Sequence, residues 1–188
     1  MDYTQYTNIE LLRQLLGNRA ARRMYRGSLV PLFTPEGEPG RNHYRLAAAR
    51  ELVKRWLEEQ IRGTDVFSQT DEVTEYLRIF FAGKEHESFV VLFLTTQHGL
   101  IVAEELFRGT LSETAVYPRE IMKRALQVNA GAVIIAHNHP SGVAEPSPVD
   151  IHMTKQLKRT LALVGVDVID HVVIAGNTAV SFVEEGLL

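Results

Sequence analysis

Residues 132–150 read AVIIAHNHPSGVAEPSPVD, and the reading of this stretch settles how the rest of the chain is interpreted. Ala132 to Ala136 is a short, wholly apolar run, the pattern of a buried strand. It runs into His137-Asn138-His139. Residues two apart on an extended chain point to the same side, so both imidazoles can face one ion. Pro140 and Gly142 then turn the chain away. Ser147 lies eight positions after His139 and precedes Pro148 and an apolar-periodic run. It is therefore the expected N-cap of a helix, with Pro148 at the first helical position. Asp150 falls in the first turn, where its carboxylate can lean back over the helix N-terminus toward the two imidazoles.

Two imidazoles and one carboxylate make a three-ligand set with an open fourth position, the arrangement of catalytic rather than structural zinc. Each half of the pattern is weak by itself. Ser147-x-x-Asp150 taken alone is an ordinary capping box, and His-x-His alone is common. What favours the metal reading is their conjunction: two histidines, a tight turn, a capping serine and an acid arrive in order within fourteen residues.

On either side of this stretch, strand and helix signals alternate, which argues for an α/β domain from about residue 65 onward. Ser88 to Thr95 is a nearly continuous apolar strand. After a turn at Gln97-His98-Gly99, Leu100 to Phe107 is its expected hairpin partner. Pro118 opens a helix through Asn129, and a long helix runs from Pro148 to Val164. Val166 to Ala175 and Thr178 to Val183 form a second hairpin turning at Gly176-Asn177. Upstream, Asn8 to Leu16 is helical, and Arg22 to Gly40 reads as a connection punctuated by Pro31, Pro35, Pro39 and glycines. Ala47 to Ile61 is a better helix. Its apolar positions 46, 49, 52, 53, 56, 57 and 61 follow one face, and Glu51/Arg55 and Glu58/Arg62 are favourable four-residue pairs. Gly63 stops it, Thr64 to Thr70 is a linker, and Asp71 to Phe81 is a further helix closed by Gly83. The expected division is an N-terminal helical segment, 1–63, and a zinc domain, 64–188.

Composition narrows the chemistry. In 188 residues there is no cysteine, so any metal must be held by nitrogen and oxygen ligands and no disulfide supports the fold. The start, MDYTQYTNIELLRQLL, lacks the features of a secretory signal, and no apolar run can span a bilayer, so a cytoplasmic location without membrane contact is expected. Residues 1–63 carry 11 Lys/Arg against 7 Asp/Glu, while the remainder carries 9 against 16. A basic arm that meets nucleic acid and a solvated helical face both fit that asymmetry.

The same residues resemble a known family. His-x-His, seven residues, then Ser-x-x-Asp is similar to the signature of JAMM (MPN-type) metalloproteases. HNHPSG followed by PS-x-x-D, the upstream VYPREIMKRAL and the downstream DHVVIAG and SFVEEGLL resemble RadC proteins over about Val66 to Leu188. The resemblance implies an MPN-type α/β (α+β) fold, a central mixed sheet flanked by helices. It also implies Zn2+ on His137, His139 and Asp150, a water as fourth ligand, and Ser147 assisting the oxyanion. The general base of such a site stands near the start of an upstream strand, and Glu87, at the head of SFVVLFL, occupies the corresponding place. Glu85 and Glu104 are alternatives; a solvated charge at a strand end is the plain reading of any of the three.

The other histidines take plainer readings. His152 faces away from Asp150, His171 is either a support to the ligands or a core residue, and His43, His86 and His98 are surface residues. Arg119 and Glu120 read as an ion-paired helix start. Many RadC proteins carry a helix-hairpin-helix with a Gly-hydrophobic-Gly turn, but PEGEPGRNHYRLAAARELVKRW keeps only the second helix, a degenerate version. DNA contact then rests on Arg19, Arg22, Arg23 and Arg26. A zinc hydrolase of peptide or isopeptide bonds is the leading expectation. A DNA repair-associated protein and a non-catalytic MPN interaction module are the alternatives, and oligomeric state has no sequence signal.

Overall fold

The computed structural model describes residues 3–33, 38–62, 65–66, 70–109 and 116–188. By contact density the chain divides into two compact units, Met1–Arg55 and Trp56–Leu188. The first unit holds α1 (Asn8–Leu16), α2 (Asn18–Met24), α3 (Val30–Phe33) and most of α4 (Arg41–Ile61). Leu12, Leu16, Ala21, Leu32 and Leu46 form its small core.

Helix α3 and the last three residues of α2 lie where the sequence reads as a connection. Gly17, at φ 83°, ends α1 and at the same time stands at the N-cap of α2, so its left-handed geometry joins two helices rather than starting a loop. Pro31 falls inside α3, a helix of only four residues, where proline within the first turn is tolerated. Helix α4 begins at Arg41, six residues before the expected start. The linker at 64–70 lies largely outside the described residues.

The second unit is built on a five-stranded sheet in the order β2-β1-β3-β4-β5, with β1 at Ser88–Leu94, β2 at Leu100–Arg108, β3 at Ala132–Asn138, β4 at Asp167–Ala175 and β5 at Thr178–Ser181. The pairs β1/β2, β1/β3 and β4/β5 are antiparallel, while β3/β4 is parallel. A parallel pair needs a crossover, and α7 (Pro148–Ala162) supplies it. Helices α5 (Thr70–Phe81) and α6 (Pro118–Gln127) complete the unit. This is the mixed α/β sheet with flanking helices that the sequence leads one to expect.

Both central strands, β1 and β3, are buried along their whole length, so alternation distributes their side chains between two cores. Val90, Leu92, Leu94, Ala132, Ile134 and Ala136 meet Tyr76, Leu77 and Phe81 of α5 on one face. Phe89, Val91, Phe93, Val133 and Ile135 meet Ile121 and Ala125 of α6 and Leu157 and Leu161 of α7 on the other. His137 continues the second series and so emerges at the end of β3 on the α7 face. Among the described residues no helix is long and apolar enough to cross a membrane.

The turn into β3 is tight. A Cβ on Gly131 would lie 2.5 Å from Thr96 Cγ2 and 2.9 Å from the Thr96 backbone nitrogen, and both backbone groups of Gly131 are engaged, with Leu94 O and Asp167 N. The backbone cannot yield there without opening the sheet. Gly131→Ala should therefore destabilise the domain by about 1–3 kcal/mol. Thermal or urea unfolding checks this, and an unchanged midpoint would show that the Thr96 turn yields freely.

Candidate metal centre

The three expected ligands come together. His137, His139 and Asp150 each offer one ligand atom, and these atoms lie within 4.8 Å of one another. His137 Nε2 is 2.9 Å from His139 Nε2, and Asp150 reaches them with Oδ1 3.4 Å from His137 Nε2 and Oδ2 3.6 Å from His139 Nε2. Among the described residues this is the only group of three or more His, Cys, Asp or Glu side chains so placed.

Local chemistry explains each position. His139 starts a β-turn in which the Gly142 N–H donates to His139 O at 3.1 Å, with Pro140 at the position where its fixed φ fits and Gly142 at φ 84°. The turn carries the chain back so that Val143 O accepts from His139 Nδ1 at 2.7 Å. That bond places the proton of His139 on Nδ1 and leaves Nε2 with a bare lone pair.

Asp150 is held from the other side. Ser147 is the N-cap of α7: its hydroxyl accepts from Asp150 N at 3.2 Å, and its own N–H and O–H both donate to Asp150 Oδ2, at 2.7 and 2.6 Å. The capping acid and the candidate ligand are therefore one carboxylate. Oδ2 serves the cap while Oδ1 faces His137. The positive end of α7 favours the anion at this position.

Electrostatics point the same way. Burial by itself would raise Asp150, but hydrogen bonding with His137 and His139, the charge of His137, and Ser147 outweigh it and hold the carboxyl far below its ordinary range. His139 is raised above the usual imidazole range, chiefly by its hydrogen bond with Asp150, against burial and with help from Val143 and the charges of Asp150 and Glu87. Two imidazole lone pairs and a carboxylate oxygen facing one another repel unless a cation lies among them. The raised His139 is the response of such a cluster to protons; a metal ion with nitrogen and oxygen preference fits the same donor set.

The candidate bases separate on position. The β1/β3 register pairs Phe89 with His137, and continued by two residues it sets Glu87 opposite His139, on the same face. The influence of Glu87 on His139 agrees with that placement. Glu104 is instead clamped by Arg124 of α6, whose Nε donates to Oε2 at 2.7 Å while a second nitrogen bonds Oε1 at 2.5 Å. Glu85 is exposed and precedes the strand.

Two contributors lie outside the set of residues singled out from the sequence. Asn138, between the two histidines, points to the opposite face: its Oδ1 accepts from Ser88 N at 2.8 Å and its Nδ2 donates to His86 O at 3.0 Å. It thereby clamps the backbone on both sides of Glu87. Thr154, one helical turn after Asp150, donates to Asp150 O at 2.6 Å and lies 2.7 Å from His171 Nδ1. The four-residue spacing was a readable signal for Thr154; no sequence signal reveals the partner strand of Asn138. His171 is fully buried, stacked on Phe182 at 4.4 Å, and its Nε2 lies 2.8 Å from His137 Nδ1. His152 is exposed.

A mixed sheet that gathers two imidazoles and a carboxylate at one strand end, beside a helix N-terminus, defines an α/β domain with a candidate mononuclear metal centre. The family model of the RadC-like JAB domain matches residues 67–187, and the chain belongs to that family. It is 55% identical over 143 residues to a UPF0758 protein of Methylibium petroleiphilum, an alignment covering 76% of this chain and 64% of the relative. It is 46% identical over 181 residues to a UPF0758 protein of Chromobacterium violaceum, covering 96% and 81%. A UPF0758 protein of Nitrosomonas europaea is 44% identical over 186 residues, covering 98% and 83%. The chain thus spans less than two thirds of the Methylibium protein.

Because Ser147 both caps α7 and holds Asp150 Oδ2, its removal has a structural effect apart from any chemistry. Ser147→Ala should cost about 0.5–2 kcal/mol of stability. Denaturant unfolding of the metal-free protein measures it, and an unchanged free energy would mean that water replaces the hydroxyl at no loss.

Proposed function

We propose that the domain is a zinc-dependent hydrolase that cleaves an amide bond of peptide or isopeptide type. The observation that carries this reading is the convergence of His137 Nε2, His139 Nε2 and an Asp150 carboxylate oxygen, with Glu87 set across from His139. A zinc ion held by these three residues would supply a Lewis acid and a water of lowered pKa.

The remaining work falls to the chain itself. His139 is oriented by Val143 O, and Asp150 by Ser147, so neither has to be ordered when substrate arrives. Glu87 takes a proton from the attacking water and returns it to the leaving nitrogen, the role that demands a carboxylate within hydrogen-bond reach of the reacting atoms. Asn138 keeps the Glu87 backbone fixed against β3. Ser147 is half-buried beside the site; its hydroxyl turns from Asp150 Oδ2 to donate to the oxyanion as charge develops, while its N–H keeps hold of the carboxylate. A single three-ligand centre lacks the paired ions common in phosphodiester cleavage, which favours a carbonyl substrate.

Zinc content and hydrolysis of a panel of peptide and isopeptide-linked substrates test the proposal. Glu87→Gln should retain zinc and lose about 10²- to 10⁴-fold in turnover, whereas Asp150→Ala should lose the metal. A native protein that stays metal-free with zinc supplied rules the reading out. A Glu87→Gln variant with native turnover removes the base assignment alone.

A second reading concerns the first unit, where Arg19, Arg22, Arg23 and Arg26 are all exposed within eight residues. Such a cluster fits contact with nucleic-acid phosphates. Binding to single- and double-stranded DNA should weaken steeply as salt rises, with a log–log slope reduced by about 1 for each arginine replaced. Absence of any salt-dependent affinity would leave this unit without a nucleic-acid role.

A further inference from the structure

The structure assigns Thr154 and His171 as positioning residues: a buried hydrogen-bond relay from the Asp150 main chain through both of them fixes His137 with its proton on Nδ1. Its Nε2 is thereby prepared for a metal ion before one arrives. This rests on the metal-binding part of the proposed function and on no assumption about substrate.

The direction of each bond follows from the one before it. The Asp150 carbonyl oxygen can only accept, and Thr154 Oγ1 lies 2.6 Å from it, so the hydroxyl proton is spent there. The lone pair of Thr154 Oγ1 then faces His171 Nδ1 at 2.7 Å, and that nitrogen must be the donor. His171 is enclosed by Phe182 and Phe89 and wholly buried, an environment in which a charged ring is strongly disfavoured. A neutral ring protonated on Nδ1 has a bare Nε2. Its neighbour at 2.8 Å is His137 Nδ1, which therefore donates. His137 is left with an unprotonated Nε2 on the side that faces His139 and Asp150.

The alternative tautomer shows why this matters. With its proton on Nε2, His137 would donate into Asp150, and the two ligands would satisfy one another and leave no site. The relay forbids that by setting the bare Nε2 of His171 as acceptor at His137 Nδ1. It also ties two ligand-bearing elements together, since it starts on α7, crosses β4 and ends on β3. A core histidine chosen only for packing would need neither the threonine hydroxyl nor this order of donors.

The test uses the full chain stripped of metal with a chelator, with zinc affinity measured by competition against a chromophoric chelator. Long-range nitrogen–proton NMR at mildly alkaline pH reads the protonated nitrogen of His137 in the same metal-free protein. The native protein should show His137 protonated on Nδ1. Thr154→Val, which removes the hydroxyl and little else, should show mixed tautomers and bind zinc about 10–100-fold more weakly, while Thr154→Ser should restore both. Native-like zinc affinity in Thr154→Val, or His137 protonated on Nε2 in the native protein, overturns the relay. The NMR reading needs no folded variant and no zinc binding. A native protein that shows the expected tautomer yet takes up no zinc therefore counts against the proposed function and not against the relay.

Discussion

Everything at the candidate site depends on one register. β3 is hydrogen-bonded on both sides, antiparallel to β1 with Phe89 opposite His137 and parallel to β4 with Val173 opposite His137. Side chains alternate with a period of two, so a slip of one residue would move both histidines to the other face of the sheet and bring Asn138 to the metal side. The slip is opposed by two cores at once, because the same shift would exchange Val133 and Ile135 with Ile134 and Ala136 between differently shaped neighbours. The apolar strand is thus what holds the polar site in place. Asn138 adds a local check, since its side chain meets the Ser88 amide and the His86 carbonyl in this register.

That placement has an electrostatic consequence. His137, Asp150, Thr154 and His171 are buried polar groups beside a core of Phe89, Ile121 and Leu157. Burying them unpaired would cost roughly 1–3 kcal/mol each. Hydrogen bonds answer most of that cost: Ser147 on Asp150, Thr154 on His171, His171 on His137, Val143 on His139. What they leave unanswered is concentrated at a single point, where two imidazole nitrogens and a carboxylate oxygen face one another. A group so placed could hold a cation, and the same closeness of Asp150 to the imidazoles holds Asp150 anionic and biases His139 toward its charged form.

The sequence made the strands, the crossover helix and the three donor residues readable because each follows from short-range rules: alternation, a turn with proline and glycine, a cap. It presented the capping box and the metal ligand as rival readings of Asp150. They are compatible, because a carboxylate has two oxygens and the helix start uses only one. Glu85, Glu87 and Glu104 could not be told apart locally; their different surroundings follow from strand pairing and the Arg124 clamp, both contacts between residues far apart in sequence. Helices α2 and α3 were hidden for the opposite reason. Gly17 and Pro31 are local breakers by rule, yet here one joins two helices and the other sits within a first turn. On α4 the apolar stripe is only partly used: Leu46 and Ile61 are buried while Leu52, Val53 and Trp56 remain exposed.

The arrangement also bears on what an ion at this site would be for. Structural zinc sites create a core that the chain cannot otherwise form, and the protein unfolds without metal. Here the ligands are offered by a strand buried between two apolar layers and by a helix whose own cap and dipole favour the acid at its N-terminus. The fold does not need the metal to bring them together. Binding would still stabilise the native state by mass action, by about 2.7 kcal/mol at a hundredfold excess over the dissociation constant, but as an addition to a domain already formed. A site built in advance, with its donors oriented by neighbours, does not need an ion for its architecture.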